Sequence, residues 1–164
     1  QLLPAADKDV ADLNDFYSHA SGGLMLRAME LEAASWKIDG LSQDYRRLEL
    51  KRERYLFALL HRERLKAFII ANVSEVGLNL SDLTHCLHAV VADAEGLDPG
   101  IFMQSMRMAS QAAGLEEMVA LVYPAAYPQA HRIPLDKIYH LWIVHTFGAD
   151  QAYLKYLSRL TRYL

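Results

Sequence analysis

Two spacings of apolar residues alternate along this chain, and the switches between them mark its elements. From Lys8 to His19 the positions Val10, Leu13, Phe16 and Tyr17 recur every three or four residues, which predicts a helix. The turn PAADKD precedes it, with Asp7 as the expected N-cap, and SGG at 21–23 interrupts it. LMLRAMELEA has helical spacing again, WKIDG (36–40) is a turn, and SQDYRRLELKRER is a charged approach to the next element. The character then changes to strand. RYLFALL (54–60), the turn HRER and RLKAFIIANV (64–73) predict an antiparallel hairpin. EVGLNLSDL (75–83) is an irregular connector, and THCLHAVVAD (84–93) has the continuous apolar run of a strand buried on both faces.

PGIFMQSMRMASQAAG (99–114) returns to helix, with Pro99 at its first position and Gly114 as its stop. Ile101, Phe102, Met106, Ala109 and Ala113 are expected to face the sheet. MVALVYP (118–124) and IYHLWIVHT (138–146) are further strands, and DQAYLKYLSRLTRYL ends the chain as a helix. That helix carries Tyr153, Tyr156, Leu157, Leu160 and Leu164 on one face, which is expected to pack on its own sheet. A hairpin followed by a strand–helix–strand crossover implies a mixed sheet in one α/β domain, 1–164, with QLL at the start as a further strand.

Composition narrows the classes. With 164 residues, 52% apolar and 23% charged, the chain supports a folded core. A net charge of −3 with interspersed signs lacks the basic face of a nucleic-acid binder. No apolar run approaches the roughly 20 residues of a membrane span, and the single Cys86 leaves no internal disulfide. A cytoplasmic protein is expected, and Gln1 at the start suggests a segment of a longer one with a partner domain in the same chain.

The order of elements resembles the GNAT-type acyl-CoA N-acyltransferases over most of the chain. QLLPAADKDVADLNDFY is similar to the family's first strand, turn and helix, and SGGLMLRAMELEA to its second helix. RYLFALL with RLKAFIIANV resembles its central hairpin, LTHCLHAVVAD the strand that meets the acyl donor, PGIFMQSMRMASQAAG the pyrophosphate-facing helix, and MVALVYP the strand that splays away. The resemblance implies a mixed sheet with helices on both faces, plus an extra C-terminal helix. It implies acyl-CoA as cofactor, lying against Val90 and Val91, with backbone N–H groups near Leu97, Asp98, Gly100 and Ile101 facing the pyrophosphate. Tyr123 or Tyr127 would be the acid that protonates the leaving thiolate, and His88, with Asp82 nearby, the base.

The matching loop departs from the family's pattern. ADAEGLDPG lacks the leading Arg or Gln, spaces Gly96 and Gly100 differently, and loses one N–H at Pro99. Asp93, Glu95 and Asp98 add negative charge, and no Lys or Arg follows until Arg107. Two like charges about 6 Å apart cost on the order of 2–3 kcal/mol at an effective dielectric near 20. The loop thus reads as the remnant of a phosphate site.

Each candidate also has a structural reading. Tyr123 and Tyr127 serve as aromatics closing the sheet, and His88 as a hydrogen-bonded strand histidine. His85 and His88 fall on opposite strand faces, as do His140 and His145, so neither pair makes a metal site. Cys86 sits among apolar neighbours as an inert thiol. NVSEVG (72–77) resembles the Asn/Asp-x-Ser-x-x-Gly motif of PilZ domains, which implies cyclic di-GMP as ligand, with Arg46, Arg47, Arg52 and Arg54 upstream. The expected function is a divergent GNAT-like, non-catalytic sensing or interaction module of a bacterial signalling protein. N-acyl transfer from an acyl thioester to an amine is the first alternative, and cyclic di-GMP binding the second.

Overall fold

The hairpin that the alternating apolar runs predict forms the middle of the sheet. The structure, a computed structural model, describes residues 1–21, 49, 52–74, 85–115, 119–124 and 127–138. Strands β2 (Arg52–His61) and β3 (Arg64–Ser74) pair antiparallel from Arg52↔Ser74 to His61↔Arg64. β1 (Leu2–Pro4) pairs with β2 on one side, and β4 (Cys86–Val91) pairs with β3 on the other, both antiparallel. β5 (Ala120–Val122) lies parallel to β4. The five strands are ordered β1-β2-β3-β4-β5, so β2, β3 and β4 lie inside the sheet.

A parallel neighbour needs a crossover, and helix α2 (Pro99–Ala112) supplies it. Helix α1 (Asp7–Ser21) covers the opposite face. Val10 and Leu13 of α1 pack on Leu56, Ala58, Phe68, Ile70 and Val90, which project to that side. Phe102, Met106 and Ala109 of α2 pack on the alternate residues Phe57, Leu59, Ala67, Ile69, Ala71, Leu87 and Ala89. The period-two alternation of β3 therefore feeds two cores at once, and a one-residue slip would exchange them. Among the described residues the protein is a mixed α/β fold with a five-stranded mixed sheet between two helices.

Local chemistry sets the ends of these elements. α1 is closed by a reciprocal pair between Ala6 and Asp9: the Asp9 carboxylate accepts the Ala6 N–H at 2.7 Å, and the Asp9 N–H donates to the Ala6 carbonyl at 2.8 Å. Asp7, expected as the cap, is the first residue of the helix instead. α2 stops at Gly114, whose φ of +68° suits glycine, with Leu115 N–H donating to Ser110 O and Gly114 N–H to Gln111 O. β5 spans only three residues of the strand expected over 118–124. The expected helix in LMLRAMELEA, the turn at WKIDG, the approach SQDYRRLELKRER up to Lys51 and the connector EVGLNLSDL lie outside the described residues, Glu49 excepted. So do the strand expected in IYHLWIVHT after Ile138 and the C-terminal helix.

The β2–β3 turn carries a testable cost. Arg62 and Glu63 both adopt positive φ, 50° and 63°, as a two-residue turn of mirror-image type requires. Side chains with a Cβ pay roughly 1–2 kcal/mol in that conformation. Replacing Arg62-Glu63 by Asn-Gly will raise the urea midpoint by the equivalent of about 1–2 kcal/mol, with no change in slope. An unchanged or lowered midpoint would contradict this account of the turn.

Candidate functional site

The site expected from sequence lies where β4 ends and α2 begins. β4 and β5 pair over Cys86↔Ala120, Leu87↔Leu121 and His88↔Val122, after which no further pair forms between them. The Ala92 N–H donates to Lys66 O, so along this antiparallel ladder the backbone groups of Val91 point away from β3. They face the side on which β5 has already diverged.

A bulge closes β4. Ala92 and Asp93 both donate their N–H groups to Lys66 O, at 2.9 and 3.0 Å, placing two residues opposite one. The Lys66 side chain, 5% exposed, reaches the Asp93 carboxylate at 2.5 Å. That hydrogen bond, then one from the Glu95 N–H at 2.8 Å, holds the Asp93 carboxyl below its usual range. Lys66 occurs in phase with the buried Phe68 and Ile70. That was the sequence signal for a part-buried ion pair, and sequence reasoning missed it.

The helix terminus is filled from within. Asp98 is the N-cap of α2, and its Oδ1 accepts the Gly100 N–H at 2.8 Å and the Ile101 N–H at 3.0 Å. The Leu97 N–H donates to Ala94 O at 3.2 Å and the Phe102 N–H to Asp98 O at 2.9 Å. Pro99 has no N–H to give. A methyl group on Gly100 would sit 3.1 Å from Asp98 Oδ1, so glycine lets the carboxylate fold tightly over the terminus.

The tyrosines gather on the α2 side of the sheet. Tyr127, 3% exposed, donates its hydroxyl to Leu97 O at 2.5 Å and lies against Phe102 with ring centroids 5.2 Å apart. Burial, then the Asp98 charge, pushes its hydroxyl pKa up, against a smaller opposing effect of Arg132. Tyr123 meets Phe102 edge-on at 5.9 Å, and its buried hydroxyl has no hydrogen-bond partner among the described residues. Tyr127 thus has its proton engaged, whereas Tyr123 has one to offer.

His88 stands apart from both. Its neighbour by strand period, Val90, packs in the α1-side core, while Tyr123 and Tyr127 pack in the α2-side core. The sheet separates the expected base from the expected acids. Burial lowers the His88 pKa to about 4, which keeps the ring neutral near pH 7 and makes it a weak base. The nearby His85 Nδ1 accepts the Ser74 N–H at 3.3 Å, a structural role. Asp82 lies outside the described residues.

On that α1 side runs a polar row. Arg54 Nε donates to Asn72 Oδ1 at 3.0 Å, and Asn72 Nδ2 lies 3.6 Å from Cys86 Sγ. Asn72 and Ser74 of the PilZ-like motif are therefore buried strand residues, with the Asn72 amide committed to its neighbours across the sheet. Glu75 to Gly77, Arg46 and Arg47 lie outside the described residues, and the Arg52 side chain is likewise not described. Among the described residues no group of three or more His, Cys, Asp or Glu side chains could hold a metal ion, and no helix is long and apolar enough to cross a membrane.

The histidine gives a pH dependence. A folded pKa near 4, below the ordinary 6.5, means stability is complete above pH 6.5 and falls as the pH drops toward 4. The loss amounts to about 3 kcal/mol across that window. Urea titrations at successive pH values should show this slope, and His88→Gln should flatten it. A variant with the parental slope would assign the titration elsewhere.

No protein-family model, curated protein or solved structure matches the chain. The geometry is the ground on which its function is argued.

Proposed function

We propose that this chain is a GNAT-like domain whose acyl-CoA site is closed by its own residues. We further propose that it acts as a non-catalytic sensing or interaction module in a bacterial cytoplasmic signalling protein. The strand order supports the GNAT-like reading: a parallel β4–β5 pair, joined over α2, that separates after three residue pairs. One observation carries the non-catalytic reading. The Asp98 carboxylate occupies the Gly100 and Ile101 N–H groups that a pyrophosphate would need. A diphosphate must displace that carboxylate and approach its charge, and a helix terminus returns only about 0.3–1 kcal/mol per charge at an exposed site. On the α2 side Tyr127, Leu97 and Phe102 fill the core beside the divergence.

N-acyl transfer remains the second reading, favoured by the outward-facing backbone of Val91 and the unpartnered Tyr123 hydroxyl. In that reaction a neutral amine attacks the thioester carbonyl, and a C–N bond forms as the C–S bond breaks. Tyr123 donates its proton to the departing thiolate, and the proton shed by the amine nitrogen returns to the tyrosinate through solvent. The cyclic di-GMP reading has less support, because the Asn72 amide already serves Arg54 and Cys86.

Thermal-shift titration with acetyl-CoA and longer acyl-CoAs separates these readings. We expect no stabilisation at 1 mM ligand. A dissociation constant near 10 µM would instead add about 2.7 kcal/mol and overturn the closed-site reading. Asp98→Ala should cost about 0.5–2 kcal/mol of stability through loss of the cap, measured by urea denaturation.

A further inference from the structure

A groove of about 790 Å³ runs between α2 and β5, away from the Asp98 terminus. Leu87 and Met106, each 1% exposed, form its floor, and Met103, Val119 and Leu121 line its sides. Along α2 it extends from Met103 to Gln111, roughly 12 Å at 1.5 Å per residue. Among the described residues Arg107 is its one charged lining residue, and no hydrogen bond or ion pair joins Arg107 to another of them. A largely apolar trough with a single cation at its rim matches the chemistry of a ligand with an apolar chain and one anionic end. Methionine side chains, flexible and polarizable, adapt to a chain of variable shape.

We propose that this groove binds an aliphatic carboxylate, with the alkyl chain over Leu87 and Met106 and the carboxylate paired with Arg107. The assignment rests on the sensing reading above, for which it supplies a ligand. It uses none of the residues at the α2 N-terminus, so a positive acyl-CoA titration would overturn that reading without explaining binding here. Charge selects the carboxylate: guanidinium forms two parallel hydrogen bonds with it, and an alcohol of equal chain length lacks that contact.

The test uses the whole chain with 13C-methyl methionine, titrated with decanoate and with decanol below their aggregation limits. Decanoate should move the Met103, Met106 and Met108 methyl resonances saturably and bind about tenfold more tightly than decanol. Arg107→Gln should bring decanoate down to the affinity of decanol and leave decanol unchanged. Leu121→Glu should abolish both; Met108→Glu, at a position 46% exposed, gives the same block should the first variant not fold. Absence of saturable shifts, or decanoate affinity unaffected by Arg107→Gln, would overturn the proposal.

Discussion

The parallel seating of β5 beside β4 is the constraint from which the remaining geometry follows. Two parallel strands cannot be joined by a tight turn, so the chain must leave the sheet, cross one face and return. α2 makes that crossing, and Phe102, fully buried, fixes it against the sheet and against both tyrosines. Because β5 pairs over only three residues, the far half of β4 is left with one neighbouring strand among those described. The candidate site lies where the two strands part.

Electrostatics at that place argue in a single direction. A helix terminus offers unpaired N–H groups, and any nearby acceptor can take them. Here the acceptor is Asp98, from the residue just before the helix. A side chain held by its own backbone loses little entropy on binding, so it competes well against a free anion. The bulge one step earlier works alongside it: Lys66 meets Asp93, and the loop's acidic character is partly spent inside the fold. A row of carboxylates that looks hostile to phosphate in the sequence turns out to be two internal fasteners, Asp93 and Asp98, with Glu95 exposed between them.

Much of the architecture was readable from the chain alone, and the reasons are specific. β2 and β3 carry dense apolar runs on either side of the turn HRER, and α2 has Pro99 as its first residue and Gly114 after it, signals that depend on local sterics and patterning. β4 carries the same kind of continuous apolar run as β3, and both lie inside the sheet with a paired strand on each side. The cap of α1 moved from Asp7 to the Ala6–Asp9 pair, since three nearby residues can all donate or accept there. The difference between the two candidate tyrosines was not legible in the sequence: whether a hydroxyl is engaged depends on Leu97 O, thirty positions from Tyr127. The separation of His88 from those tyrosines likewise needs the sheet to be assembled before it can be seen.

The position of β1 bears on how the molecule is made. Leu2 finds its partner at Leu59, whereas the β2–β3 hairpin closes across two residues. The contacts of the hairpin are local, whereas the opening strand, though synthesised first, has no edge to join until Leu59 has emerged. During that interval the outer edge of β2 is bare, with apolar Leu56, Phe57 and Leu59 along it. Seating a strand of three residues that ends in proline serves as the seal: it covers that edge late and then presents little of its own for another chain to extend.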